Sequence, residues 1–189
     1  MNKKSQTAQA ILDTAESIVQ ESGFNGFSYA HIADKVGIRT ASIHYHFPNK
    51  EDLAVALIER YTDKFVAASA RIDAESPNAP ERLRKFIAMY RDPVLEYRTC
   101  LGVMFSSDAS TLSEKAQEQL TGFISATLSW LEQVLSLGRS EGTLRFEGDA
   151  ETQAHIFLAS LQGAQLLARS FRDIRRFDQI TEELISAFA

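Results

Sequence analysis

The segment GIRTASIHYHFPNK, residues 37–50, carries the side chains of this sequence that are best suited to chemistry. His44 and His46 flank Tyr45, and two nearby imidazoles are one way to present nitrogen ligands to a metal ion. A helix rotates by about 100° per residue, however, and would turn the two rings away from each other. A zinc site also needs further ligands, and the single cysteine, Cys100, excludes a multi-cysteine site. We therefore expect no metal and no cofactor.

The same segment fits a helix that reads the edges of base pairs. Pro48 ends the helix because proline cannot continue it, and Gly37 permits a tight turn before it. With Ile43 and Phe47 directed into a core, Tyr45 is turned outward. Small and hydrogen-bonding side chains accompany it, and such side chains suit insertion into a major groove. They are Arg39, Thr40, Ala41 and Ser42.

Neighbouring residues are suited to contact the DNA backbone. Arg39 can donate two hydrogen bonds to a guanine edge. Ser28 precedes another helix, whose first amides can bind a phosphate. Lys3 and Lys4 lie on an N-terminal arm that we expect to be mobile and to follow the DNA. Further phosphate contacts are expected from Ser42, Tyr45, His46 and Lys50.

The elements that must position this segment are helical. The 189 residues include only 9 Gly and 4 Pro, and 44% of them are hydrophobic, which predicts an all-α globular fold. Ala33, Gly37 and Ile43 have the spacing of a helix-turn-helix, with a small residue, a turn glycine and an apolar anchor. The polar stretch at 73–80 predicts a linker. Apolar periodicity predicts helices over 7–22, 28–36, 39–46, 50 to about 69 or beyond, 81–97, 100–110, 113–137, 150–171 and 176–188.

Charge and hydropathy limit the class of protein. The net charge of −5 does not favour a nucleic-acid binder, so the local field of the reading surface must decide. Acidic residues of the first and fourth helices are expected to lie away from that surface. No signal peptide follows the first lysines, and no apolar run approaches the 18 residues of a membrane span. We therefore expect a cytoplasmic protein with no membrane association. The acids in question are Asp13, Glu16, Glu21 and Glu59.

The sequence FSYAHIADKVGIRTASIHYHFPNKEDL resembles the DNA-binding domain of the TetR family of bacterial transcriptional repressors, and the resemblance extends over residues 7–60. It implies a three-helix helix-turn-helix domain at 1–60 and a helical ligand-binding and dimerisation domain at 61–189. It also implies palindromic operator DNA, a second copy of the chain and a small-molecule inducer as partners.

The resemblance assigns roles to individual residues. Tyr45, His46 and Lys50 occupy positions where the family contacts phosphates. His44 stands where the family usually has tyrosine, so its contact is left open. The base-reading positions are Arg39, Thr40, Ala41 and Ser42.

The second half of the chain shows no catalytic motif, and we expect no enzyme activity. His155 is expected to pack or to lie in an interface rather than to act as a base. The family dimerises through its last two long helices, and helix 150–171 is rich in small residues that permit close approach. The alternative is that these residues fill the core of one chain. The proposed contact set is Ala154, Leu158, Ala159, Ser160, Leu161, Gly163, Ala164, Leu166 and Phe171.

An inducer pocket is expected among the central helices. Each aromatic or apolar candidate is alternatively an ordinary core residue. Arg169 either binds an acidic ligand or reaches solvent. The candidates are Phe86, Met89, Tyr90, Tyr97, Cys100, Met104, Phe105, Phe123, Trp130, Leu167 and Arg169.

Cys100 follows Arg98 and opens the segment CLGVMFSS. A nearby cation and a helix N-terminus both favour the reactive thiolate. The segment resembles the cysteine region of the electrophile-sensing, NemR-type members of the family. The alternative is a buried cysteine that acts as a small hydrophobe. The chain is thus interpreted as a repressor released by an inducer or an electrophile, and the competing class is a helical small-molecule binding protein or enzyme with a structural N-terminal domain.

Overall fold

The computed structural model describes residues 3–188, apart from the side chain of Lys3. Nine α-helices and a 3₁₀ turn at Ala109–Thr111 make up the regular structure of this range, so the predicted all-α fold is confirmed. None of these helices combines the length and the apolar character needed to cross a bilayer. The helices are α1 (Lys3–Ser22), α2 (Tyr29–Val36), α3 (Thr40–His46), α4 (Lys50–Glu75), α5 (Ala79–Leu95), α6 (Leu101–Ser107), α7 (Glu114–Glu141), α8 (Ala150–Phe171) and α9 (Ile174–Ser186).

The helices form two compact units. The first contains Met1–Thr62 and Leu101–Phe123, and the second contains Asp63–Cys100 and Ile124–Ala189. The chain therefore passes between units within α4, before α6 and within α7. The division at residue 60 that the sequence suggests remains a prediction.

The first unit is built on α1, which packs against α2, α3 and α6. Its apolar residues follow helical spacing, and Ile11 and Ala15 are fully buried. Ile32 of α2 and Ile43 of α3 meet them in the core. Burial of these side chains stabilises the three-helix arrangement because each large aliphatic residue contributes about 1.5–3 kcal/mol when removed from water.

The second unit is built on α5, α8 and α9, which pack against one another. Its core includes the fully buried rings of Phe86, Phe157 and Phe177. The Arg91 guanidinium of α5 forms two hydrogen bonds to the Asp178 carboxylate of α9, at 2.7 and 2.9 Å. These bonds lower the pKa of Asp178 and raise that of Arg91.

Two helices, α1 and α7, are longer than predicted from the sequence, and α4 continues beyond residue 69. The predicted start of the first helix at residue 7 is wrong, because α1 begins at Lys3; Lys4 lies on that helix and not on a mobile arm, and the Lys3 side chain lies outside the described residues. No glycine or proline interrupts α4 before its end at Glu75, so the predicted linker shortens to residues 76–78. The helix α7 similarly continues to Glu141 through Gly138.

Gly138 allows a close approach at this point. An added Cβ would collide with the side chain of Leu144, which folds back over the end of α7, and with Ala79 of α5. Glycine therefore serves packing here, although it lowers helix propensity by about 1 kcal/mol.

Candidate nucleic-acid interface

The helices α2 and α3 form a helix-turn-helix with the predicted local geometry. Ala33 and Ile43 are buried between the helices, and Gly37 has a left-handed backbone with φ of 75°. The Ala33 carbonyl accepts hydrogen bonds from the amides of Gly37 and Ile38, at 2.9 and 3.0 Å. This pairing closes α2 and redirects the chain into α3.

The outer face of α3 carries the predicted reading residues. Tyr45 is 66% exposed, and Ala41 is also exposed. Thr40 and Ser42 are half-buried. Arg39 is exposed in extended backbone and is the N-cap residue of α3. These residues and His46 form one accessible surface, which we call the reading face.

The start of α1 lies beside the reading face. Lys4 and Thr7 line an open groove of about 620 Å³ with residues of α3. The Lys4 ammonium lies 4.7 Å from the centre of the Tyr45 ring. A phosphate entering this groove would meet positive charge from Lys4 on α1 and from Arg39 beside α3. The α3 residues lining it are Arg39, Ala41, Ser42, Tyr45 and His46.

Acidic residues of the first unit are engaged with basic side chains. Asp13 and Glu16 of α1 pair with Arg60 of α4, with Glu16 at 3.7 Å. Glu21 pairs with Lys35 at 3.8 Å. The charges of these three acids are therefore partly neutralised locally.

The N-terminus of α2 is capped by a contact that the sequence analysis missed. Ser28 is the N-cap residue, and its amide donates to Nδ1 of His31 at 3.3 Å. The pattern Ser-x-x-His places an acceptor at the position where a capping box has Glu or Gln. The contact between Ser28 and His31 could have been predicted from this pattern. The exposed Ser28 hydroxyl stands at the helix end where an anion is favoured.

The two histidines of α3 make separate contacts. His44 Nδ1 donates to the Pro48 carbonyl at 3.1 Å, and its ring lies 4.8 Å from that of Tyr29. The His46 ring lies 5.2 Å from that of Tyr45. Among residues 3–188, no group of three or more His, Cys, Asp or Glu side chains is arranged to hold a metal ion.

Tyr29 joins α2 to the end of α3, a role that the sequence analysis did not assign. Its hydroxyl lies 2.9 Å from the Phe47 carbonyl and 2.5 Å from the Asn49 carbonyl. Burial, with a smaller effect of the negative charge of Asp52, raises the pKa of Tyr29 to about 12. The hydroxyl therefore keeps its proton and continues to donate at any physiological pH.

Lys50 is directed into the first unit. Its ammonium donates to the Phe27 carbonyl at 2.7 Å and lies over two rings, 4.2 Å from the centre of Phe27 and 4.7 Å from that of Phe24. Burial lowers the pKa of Lys50, and the charge of Asp108 opposes this effect. The protein already uses one of the three donor hydrogens of Lys50. A phosphate contact for Lys50 remains a prediction.

The candidates for an inducer pocket fall in different places. Tyr97 is 56% exposed with a left-handed backbone, and Leu167 is 47% exposed, so neither lines an interior space of a single chain. Met89, Met104 and Arg169 are half-buried. The buried candidates of the second unit are Phe86, Tyr90, Cys100 and Trp130, and those of the first unit are Phe105 and Phe123.

Several buried candidates are engaged in structural contacts. The Cys100 amide donates to Oε1 of Gln165 at 3.0 Å, and Nε2 of Gln165 donates to the Tyr90 carbonyl at 2.6 Å. The Trp130 indole donates to Asp73 at 3.1 Å. Cys100 precedes α6 directly, as predicted, and is only 2% exposed.

Comparison with known proteins agrees with this geometry. Residues 11–57 match the family model for bacterial regulatory proteins of the tetR family, and residues 79–184 match that for the tetracyclin repressor-like C-terminal domain. The chain belongs to the TetR family. It is therefore a DNA-binding transcriptional regulator, and the resemblance seen in residues 7–60 is confirmed.

Relatives of known structure cover the whole TetR-family chain. A TetR-family regulator from Agrobacterium tumefaciens is 31% identical with a TM-score of 0.94, and the alignment covers 99% of this chain and 100% of that one. A TetR regulator from Legionella pneumophila is 32% identical with a TM-score of 0.86, covering 100% and 98%. The transcriptional repressor NemR of Escherichia coli K12 is 27% identical over 188 residues, 91% of this chain and 89% of NemR.

Proposed function

We propose that this TetR-family chain acts as a homodimeric repressor that binds a palindromic operator through α3 and is released by a small molecule. The observation that carries the proposal is the reading face, where Tyr45, Ala41 and Arg39 are exposed on a helix fixed from behind by Ile43. Small and hydrogen-bonding side chains on an exposed helix face are suited to reading base edges in a major groove.

Bases and phosphates are read by different parts of this surface. Arg39 is suited to a guanine edge, and Thr40, Ala41 and Ser42 to neighbouring bases. Tyr45, His46 and Lys50 contact phosphates, and the Ser28 end of α2 binds another. One ring nitrogen of His44 is hydrogen-bonded to the Pro48 carbonyl. His44 therefore contributes mainly by fixing the turn after α3.

The dimer forms through α8 and α9. The exposed residues of α8 at helical spacing form an apolar face with a glycine in its middle. An added Cβ at Gly163 would meet nothing within 4 Å in this chain, so the space beside this glycine is open to a second copy. This face consists of Ile156, Ala159, Gly163, Leu166 and Leu167.

This face differs in part from the contact set predicted from sequence. The prediction of an interface role for Ala154, Leu158, Leu161 and Ala164 is not supported, because all four are buried within the single chain. Ile156 and Leu167 take their place, since they are exposed on the same stripe. A two-fold dimer would present two α3 helices to successive major grooves about 34 Å apart.

The inducer binds in the helical regulatory domain, residues 61–189. Cys100 as an electrophile sensor is supported by its place before α6, while its burial and the Gln165 contact support the role of a small core residue. Release requires only that the ligand bind better to a state in which the two reading faces are wrongly spaced. Such a regulator works in the cytoplasm without catalysing a reaction.

Salt-dependent binding to a duplex selected from a random DNA pool tests the function. If about six phosphates are contacted, the affinity falls by roughly a thousandfold between about 50 and 200 mM salt, while the sequence preference persists. A protein that selects no sequence at moderate salt is not a repressor. That result would favour the competing class, a helical small-molecule binding protein or enzyme.

A further inference from the structure

Asp108, the residue after α6, binds the turn between α1 and α2. Its Oδ2 accepts the amide hydrogen of Phe24 at 2.8 Å and that of Asn25 at 3.2 Å. Two consecutive amides on one carboxylate oxygen are charge-assisted hydrogen bonds, which are stronger than bonds between neutral groups. The conformation of this turn therefore depends on the position of one carboxylate.

Thr111 adds a second contact to the same turn. Its hydroxyl accepts from Nδ2 of Asn25 at 2.9 Å and donates to the Asp108 carbonyl at 2.8 Å. The hydroxyl thus has its donor and its acceptor capacity both in use. We call the set Asp108, Thr111, Phe24 and Asn25 the Asp108 clamp.

Packing around the Asp108 clamp leaves little freedom to the turn. The Phe105 ring of α6 lies 5.2 Å from the Phe24 ring, and the Lys50 ammonium covers Phe24 from α4. An added Cβ at Gly23 would stand 3.1 Å from Oδ2 of Asp108. Gly23 also has a φ of 80°, so both the backbone and the space at this position require glycine.

The clamped turn ends at Ser28, where α2 begins. We propose that Asp108 is a positioning residue for operator binding: it holds the amides of Phe24 and Asn25, and so sets the direction of α2 and of the α3 helix packed on it. The proposal rests on the proposed function.

Operator binding by clamp variants tests the proposal. The duplex is one that the wild-type protein selects from a random pool, and the matched control is Asp63→Ala, which removes an exposed acid from α4. Asp108→Ala is expected to weaken binding roughly tenfold, and Asp63→Ala to leave it unchanged. Asp108→Asn keeps a neutral acceptor and is expected to have a smaller effect. Sedimentation should show dimers of all variants.

Amide hydrogen exchange supplies a readout that a general loss of stability would not give. In Asp108→Ala, exchange should accelerate at Phe24 and Asn25 while α8 and α9 keep wild-type protection. Operator affinity equal to wild type, or a uniform acceleration throughout the chain, overturns the proposal. If Asp108→Ala does not fold, Asp108→Asn and Thr111→Val decide, and wild-type affinity of both overturns it.

The same design separates this inference from the proposed function. A wild-type protein that selects no duplex refutes the function, and with it the positioning role of Asp108. A wild-type protein that binds its duplex, with Asp108→Ala binding equally well, refutes only the positioning role.

Discussion

The hydroxyl of Tyr29 in α2 donates a 2.9 Å hydrogen bond to the carbonyl of Phe47, the residue that ends α3. The bond joins the two helices of the helix-turn-helix at the end opposite to the Gly37 turn. Together with the burial of Ile43, it fixes the orientation from which α3 presents its reading face.

Removal of the Tyr29 hydroxyl is expected to change how the free energy of unfolding depends on pH in alkaline solution. Tyr29 titrates near its usual pKa of about 10 when unfolded and at about 12 when folded, so the native state binds more protons between these values. The contribution of Tyr29 to stability is therefore complete below pH 10 and is lost as the pH rises towards 12. Tyr29→Phe should lack this loss in urea unfolding followed by circular dichroism. Tyr45→Phe, at an exposed position, is the control and should keep the wild-type slope.

The pair formed by Arg91 and Asp178 is expected to matter at acid pH. The folded-state pKa of Asp178 is lowered, so its stabilisation is present above the unfolded pKa of about 4 and is lost as the pH falls through the folded value. Asp178→Asn should cost about 1 kcal/mol at pH 7 and approach wild type at the lowest pH, since the pair is partly exposed. Glu183→Gln, an exposed substitution on α9, should not show this pH dependence.

Lys50 and Tyr45 are expected to separate stability from DNA binding. Both Lys50→Ala and Tyr45→Ala should weaken operator binding while the dimer persists. Only Lys50→Ala should also lower the free energy of unfolding, by about 1–2 kcal/mol, because it loses the Phe27 carbonyl and two aromatic rings. Equal stabilities of the two variants would contradict the inward role of Lys50.

Gly163 tests the dimer interface. At both Gly163 in α8 and Gly122 in α7, an added Cβ meets nothing within 4 Å in the single chain. The chain therefore admits a Cβ at either position, and leucine at either should raise helix propensity. Gly163→Leu is expected to shift the sedimentation profile towards monomer, whereas Gly122→Leu should remain dimeric. An undisturbed dimer in Gly163→Leu would exclude this face of α8 as the dimer interface.

Cys100 is expected to react slowly with N-ethylmaleimide, because a 2% exposed residue must wait for local opening. If the thiol is a sensor, the electrophile releases operator DNA from the wild-type protein and not from Cys100→Ser. Release from both proteins would point to a non-covalent inducer.

Local features of the fold could be predicted from the sequence, whereas contacts between distant segments could not. Gly37 and Pro48 are backbone signals that act within a few residues, and α3 ends as they predict. The contact of Asp108 with Phe24 spans 84 residues and has no periodic signature. The inward direction of the Lys50 side chain could not be predicted either, because its hydrogen-bond acceptor is the backbone carbonyl of a residue in another segment.

Burial in one chain separates core residues from exposed residues in α8 more sharply than residue type does. Leu161 and Leu166 are equivalent by composition, yet one is fully buried and the other is 43% exposed. From sequence the two residues fall in one group, because small and apolar residues occur on all sides of this helix. Helix phase relative to α5 and α9 decides between them, and that phase is a property of the packed unit.

The Asp108 clamp has a consequence for the construction of hybrid regulators. In a chimera that exchanges only residues 1–62 for those of another protein, Phe105, Asp108 and Thr111 would contact a turn of different sequence. The transplanted head would recognise its own DNA sequence but would lose part of its attachment. An exchange that also carries residues 101–123 keeps the compact unit whole, so the transferable part of this regulator is discontinuous in the gene.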